Sequence, residues 1–237
     1  MKNQSLRHRL LFIGALLAPS ILLPGPGGSA LGITIKGDHS RGSSVLCRKA
    51  VRQAEQRHRI PAQLLSAVSI VESGRWSKAR REVIAWPWTV HAEGRGRYLK
   101  SKAAAVAEVK RLKARGIKNI DVGCMQVNLR YHPKAFRNLE QAFEPKSNVA
   151  YAARFLADLQ RETRSWTAAV GRYHSKTPKY NLPYRQKVQA AWRGERRRAA
   201  AARRVKVQAR VEHRASSKRR SLYQRRFSSI GRLYVRR

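Results

Sequence analysis

Apolar positions recur at helical spacing through most of the middle of the chain. Val45 to Arg57 predicts one helix. Leu64, Leu65, Val68 and Val71 share the face of a second, which begins near Pro61 and runs up to Glu72. Ser101 is placed to cap a third, rich in Ala and Lys, that Gly116 stops. Pro145 to Arg164 predicts a fourth, with Val149, Ala153, Phe155, Leu156 and Leu159 facing in. Trp166 to Tyr173 is a short fifth, and Tyr184 to Trp192 begins the last. Between the second and third, two aromatic, β-favouring runs flank Glu93-Gly94-Arg95-Gly96 and predict an inserted hairpin over 84–99. The pattern therefore predicts a mainly α (α+β) domain over residues 45–193, long enough to bury one good core.

The ends of the chain read differently. Leu10 to Leu23 is an apolar run broken by Pro19, behind Lys2, Arg7 and Arg9 and ahead of Gly28-Ser29-Ala30. This order predicts an export signal over residues 1–30, with an uncleaved anchor as the alternative; a comfortable span needs roughly 20 apolar residues. The expected location is the bacterial periplasm. Residues 31–44, rich in Gly and Ser, predict a flexible lead-in. From Gly194 the composition shifts, and residues 193–237 hold 17 Lys and Arg against Glu195 and Glu212. A basic tail over 194–237, partly helical or disordered, is expected.

Charge narrows the partners. Lys and Arg number 52 against 13 Asp and Glu, a net of +39. Such a chain associates with polyanions: acidic wall polymer, an anionic membrane surface, or nucleic acid. The export signal and the absence of a nucleic-acid motif argue against the last. Cys47 and Cys124 are the only cysteines. In an exported chain they are expected to pair, the alternative being two buried thiols. No cofactor is expected. His91, His132 and His174 lie in separate segments without ligand spacing, so no metal is expected either.

Three short runs can carry chemistry. Glu72 ends an apolar segment in Ser69-Ile70-Val71-Glu72-Ser73-Gly74, where loss of water raises a carboxyl pKa and makes a general acid. In Gly123-Cys124-Met125-Gln126-Val127-Asn128, alternation points Gln126 and Asn128 to one side if the run is extended; such amides suit sugar hydroxyls and acetamides. In Gly171-Arg172-Tyr173-His174-Ser175, Tyr173 can hold the rotamer of a catalytic carboxyl. Trp86 and Trp88 offer aromatic faces for stacking on sugar rings, or else pack on the helices.

These runs, in this order, resemble the soluble lytic transglycosylase domain, a lysozyme-like fold, over about Cys47 to Trp192. Glu72-Ser73 is similar to the family's Glu-Ser motif, whose Glu is the catalytic acid. Gly123-Cys124-Met125-Gln126-Val127 resembles its Gly-Leu-Met-Gln-Ile/Val motif, with Cys124 in place of Leu. Tyr173-His174-Ser175 falls where the family has Tyr-Asn-Ala-Gly, so Tyr173 matches and His174 departs. The resemblance implies that Glu72 cuts peptidoglycan glycan strands with support from Tyr173. Ser73, Met125, Gln126, Asn128, Trp86, Trp88 and His174 are then the expected substrate contacts. Two-carboxyl hydrolysis is the first alternative, but Glu82, Glu93 and Asp121 are the acids near these motifs and none is marked as a partner. A wall-binding module without turnover is the second.

Overall fold

The computed structural model describes residues 39–234, with side chains described over 45–224. The expected export signal, and the lead-in as far as residue 38, lie outside the described residues. From His39 the chain is already helical, so the last residues assigned to the lead-in belong to α1 (His39–Arg57).

A bundle of helices forms the first of two cores. α1 packs on α2 (Leu64–Ser73) and α5 (Pro145–Thr163). α6 (Trp166–His174) and α7 (Pro178–Tyr234) close the bundle, α7 lying on α2 and α6. Leu65, Val68, Val149, Leu156 and Val188 are fully or almost fully buried there. Side-chain caps start α3 (Lys102–Ala114) and α6: Ser101 Oγ accepts from Ala104 N–H, and Ser165 Oγ from Ala168 N–H.

α2 starts three residues later than the position of Pro61 predicts. Gln63 adopts a left-handed conformation (φ 68°), and Leu64 N–H donates to the Pro61 carbonyl in a turn. The cap comes instead from α1. The buried Glu55 carboxylate accepts from Ser66 N–H at 3.1 Å, which places a negative group at the positive end of α2.

The second core lies under a sheet. The expected hairpin is present as β3 (Thr89–Ala92) and β4 (Arg95–Tyr98), antiparallel with Ala92 opposite Arg95. Its turn is two residues, Glu93 (φ 54°) and Gly94 (φ 72°), the pair of positive φ values that a tight hairpin favours. Arg95 and Gly96 therefore belong to the strand and not to the turn. The β structure extends beyond one hairpin. β5 (Ile120–Val122) pairs with β3, and β6 (Val127–Asn128) with β5, giving the order β4-β3-β5-β6. A separate pair, β1 (Gly74–Ser77) and β2 (Glu82–Ala85), follows α2 directly. α3 and the short α4 (Leu139–Ala142) cover the larger sheet, burying Val106, Val109, Leu112, Ile120, Val122 and Phe143.

Cys47 in α1 and Cys124 in the β5–β6 turn are joined by a disulfide across a sequence separation of 77. Closing such a loop contributes roughly 4 kcal/mol in the chain-entropy model. It also ties the turn that follows β5 to the helical core.

No structural break falls at Gly194. α7 passes through it and continues to Tyr234, although every described side chain from 200 to 224 is exposed. Nor does the helix wait for Tyr184 to begin: it starts at Pro178 and takes in Pro183 within its first two turns. Asn181 N–H donates to the Thr177 carbonyl ahead of that proline.

Candidate active site

Glu72 lies in the last turn of α2, where the helix stops against β1. A Cβ on Gly74 would sit 2.2 Å from the Ile70 carbonyl oxygen, so only glycine lets the chain leave the helix this tightly. The turn opens Glu72 into a cleft of about 500 Å³ between the helical bundle and the sheet. Gln126, Asn128 and Asp121 from the sheet side, and Tyr151, Tyr173 and His174 from the bundle side, share that cleft with it. The sequence thus identified Glu72, Gln126, Asn128, Tyr173 and His174 as residues that the fold brings together.

The Glu72 carboxyl is pushed up to about 8, first by burial, with a smaller upward push from Asp121. Opposing both, the Tyr184 hydroxyl donates to Glu72 Oε1 at 2.5 Å. At neutral pH the group holds its proton, the form a general acid needs.

Several expected contacts have other roles. The Tyr173 hydroxyl donates to the Met125 carbonyl at 2.8 Å; the hydroxyl that reaches Glu72 is Tyr184's. Ser73 is fully buried, and its hydroxyl lies 2.7 Å from the Cys124 carbonyl and 3.1 Å from that of Ser69. It fastens the end of α2 to the β5–β6 turn instead of facing a ligand. Met125 is fully buried in the first core. Its backbone, not its side chain, serves the site: the N–H donates to Asn148 Oδ1 and the carbonyl receives Tyr173. Trp86 is 3 % exposed and donates its indole N–H to the Leu99 carbonyl, while Trp88 packs edge-on against it and on the second core. Neither lines the cleft. Tyr131, 69 % exposed, is the aromatic that does so from the sheet side.

The amides of the cleft are held in fixed orientations. Gln126, at φ 46°, donates its side-chain N–H groups to the carbonyls of Thr89 (3.2 Å) and Gly123 (3.0 Å). The run is a turn here, not a strand, and only Val127 and Asn128 are extended. Asn128 donates to Asn119 Oδ1 and Asp121 Oδ1, and accepts from the N–H groups of Arg130 and Tyr131. His174 stacks flat on Tyr184 with ring centroids 4.5 Å apart, and the loss of water on that face lowers its pKa.

The family model described as the transglycosylase SLT domain matches residues 49–187, more than half of the 237-residue chain. The chain belongs to this family. Its SLT domain takes in α2, both sheets, α5, α6 and the first turns of α7, so Glu72 and Tyr184 both fall within the match. Family members are lytic transglycosylases, lyases acting on peptidoglycan. No curated protein and no solved structure matched the chain.

Within the SLT domain, Tyr184 is the residue bonded to Glu72, and the motifs do not mark it. Its signal was present: Tyr184, Val188 and Ala191 fall at i, i+4 and i+7, which places a phenol on the buried face of α7, where its hydroxyl must find a partner. Tyr184→Phe removes a donor that favours the charged form of Glu72. The alkaline limb of the pH–rate profile is therefore expected to move to higher pH, with a rate loss of roughly tenfold from the freed rotamer. A limb that moves to lower pH would contradict this geometry.

Proposed function

We propose that the protein is an exported lytic transglycosylase that cuts the β-1,4 bond between N-acetylmuramic acid and N-acetylglucosamine. The observation that carries this reading is Glu72, a carboxyl raised to about 8 and open to a cleft lined with fixed amides. Glu72 gives its proton to the glycosidic oxygen as the bond to the muramyl anomeric carbon breaks. The carboxylate left behind takes the proton of the muramyl 6-hydroxyl, whose oxygen closes on the same carbon. One C–O bond is lost and one is formed. The proton returns to Glu72, and no water is consumed. The product is a 1,6-anhydromuramyl end, and an attacker on the same sugar gains from proximity.

Digestion of purified wall by the full chain, with mass analysis of the fragments, is expected to give anhydromuramyl ends. Reducing ends would identify a lysozyme-type muramidase, and uncut wall a binding module without turnover.

The apolar run and small residues at the N-terminus support export to the periplasm. The distal part of α7 supports a second contact there, with acidic wall polymer or an anionic membrane surface. Its exposed face carries Arg203, Arg204, Lys206, Arg210, Arg214 and Lys218 to Arg220, with Glu212 as the one acid from 200 to 224. Retention on wall fragments is expected to fall steeply with salt, because exposed charges are screened within about 10 Å at 0.1 M. Retention lost on nuclease treatment would assign the tail to nucleic acid instead.

A further inference from the structure

The cleft holds a second carboxylate, Asp121, which the mechanism above leaves unused. It sits on β5 and lines the same cleft as Glu72, pinned on two sides. Asn128 donates to its Oδ1 at 2.7 Å, and His91 Nδ1 lies 3.5 Å from its Oδ2. Asn128 is itself locked by Asn119 and by two backbone N–H groups, so the carboxylate cannot readily turn away.

Its partners carry no permanent charge. With 52 Lys and Arg available, seven other carboxylates pair with Arg or Lys: Glu82, Glu93, Glu108, Glu144, Asp158, Glu162 and Glu195. Among the described residues, Glu72 and Asp121 do not, and neither do Glu55, Glu140 and Glu212. Glu72 is given a phenol, and Asp121 an amide and an imidazole.

We propose that Asp121 is a second carboxylate of the reaction, supplying the fixed negative charge that stabilises the positively charged sugar ring formed as the glycosidic bond breaks. The step is electrostatic. Asp121 exchanges no proton with the substrate, and Glu72 remains the acid and then the base. The inference rests on the reading of Glu72 given above. Burial pushes the Asp121 carboxyl up, and the Asn128 bond and then His91 act against that push, toward the charged form. A charge placed here also acts on its neighbours. Its like charge favours the protonated form of Glu72 from α2, and on α6 it adds to the upward push that burial and then Glu72 give the Tyr173 phenol. It opposes the downward shift of His174 on α6 and of His132 beyond β6. Tyr184 from α7 bonds Glu72 directly, and His91 from β3 faces Asp121.

The test uses the full chain and the isosteric Asp121→Asn, which keeps an acceptor for Asn128. Asp121→Glu is the charge-retaining comparison, and Asp121→Ser serves if the Asn variant fails to fold. Two quantities are read. The carbon-13 carboxyl titration of Glu72 is expected to move to lower pH in the uncharged variants and to stay in place in Asp121→Glu. The turnover number is expected to fall at least about tenfold without the charge, with the alkaline limb of the pH profile shifted the same way. An unmoved Glu72 titration, or equal rate losses in the charged and uncharged variants, overturns the proposal. The titration does not require turnover. If Glu72→Gln still cuts wall, the reading of the site fails on that result alone, whatever Asp121 does to the Glu72 proton.

Discussion

Glu72→Gln is expected to abolish wall lysis and, at the same time, to make the protein harder to unfold. The loss of activity follows from its place as the one acid poised to protonate the leaving oxygen, a role worth 10²–10⁴-fold as acid alone. Because the same group then acts as base, the loss should lie at the upper end of that range or beyond it.

The stability effect follows from linkage. The carboxyl has a pKa of about 8 in the folded chain against an ordinary value of 4.5. Between those values the folded state binds a proton that the unfolded state does not. Glu72 therefore makes stability fall as pH rises from about 4.5 to about 8, after which the penalty is constant. Gln carries no such penalty. The variant should match the wild type near pH 4 and exceed it at pH 8 by up to a few kcal/mol. Urea unfolding at the two pH values checks this, beside a turbidity assay of wall lysis. Lysis that survives in the variant would remove Glu72 from the chemistry. A stability difference that does not grow with pH would mean that the carboxyl is not raised by burial.

The two measurements address one physical fact, that a general acid at neutral pH has to be held where its charged form is unwelcome. Burial does this for Glu72, and the Tyr184 bond tempers it, since a carboxyl raised without limit would give up its proton reluctantly. The tension between desolvation and one hydrogen bond sets the pH range over which the site works.

Features governed by neighbours in sequence were legible. Ser101 and Gly116 bracket α3 because caps act over three or four residues. Glu93-Gly94 marks the hairpin because its turn demands positive φ. Glu72 was visible as an acid closing an apolar helix, and the Met125-Gln126 turn through its order in the chain behind Glu72. Features that depend on distant partners were not legible. Asp121 reads as one acid among Lys and Ile residues until β5 pairs with β3 and brings it beside His91. The cap of α2 comes from Glu55 on another helix, so Pro61 pointed to the wrong first turn. Trp86 carries an aromatic signal that fits stacking on sugar or packing alike, and the fold decides for packing, with its indole N–H on the Leu99 carbonyl. From Gly194 onward a partly helical tail is expected, but charge drowns the periodicity and hides how far the helix runs, to Tyr234.

Asn148 shows most clearly what one sequence position can conceal, and its replacement by Ala should cost more stability than that of any other polar residue near the site. On the sequence it is a polar residue in the first turn of α5, next to an inward-facing Val149. In the structure it is fully buried, and both polar atoms of its amide have partners. Oδ1 accepts from Met125 N–H at 2.9 Å, and Nδ2 donates to the carbonyls of Val122 (2.9 Å) and Ala142 (3.0 Å). These three groups belong to the end of β5, the β5–β6 turn and the end of α4, so a single side chain knits the sheet to the bundle. Gly123 leaves it room: a Cβ there would come within 2.4 Å of Asn148 Nδ2, and φ at that position is +84°. Asn148→Ala orphans three buried backbone groups. At about 1–3 kcal/mol for each unsatisfied group, partly offset by relaxation, the loss should be roughly 3 to 5 kcal/mol, or about 10 °C in Tm. Catalysis should fall as well at temperatures where the variant is fully folded, because Gln126 and the Tyr173–Met125 bond hang on the same turn. A variant with the lowered Tm but wild-type turnover in the cold would show that the turn keeps its shape without Asn148, and that the amide serves stability alone.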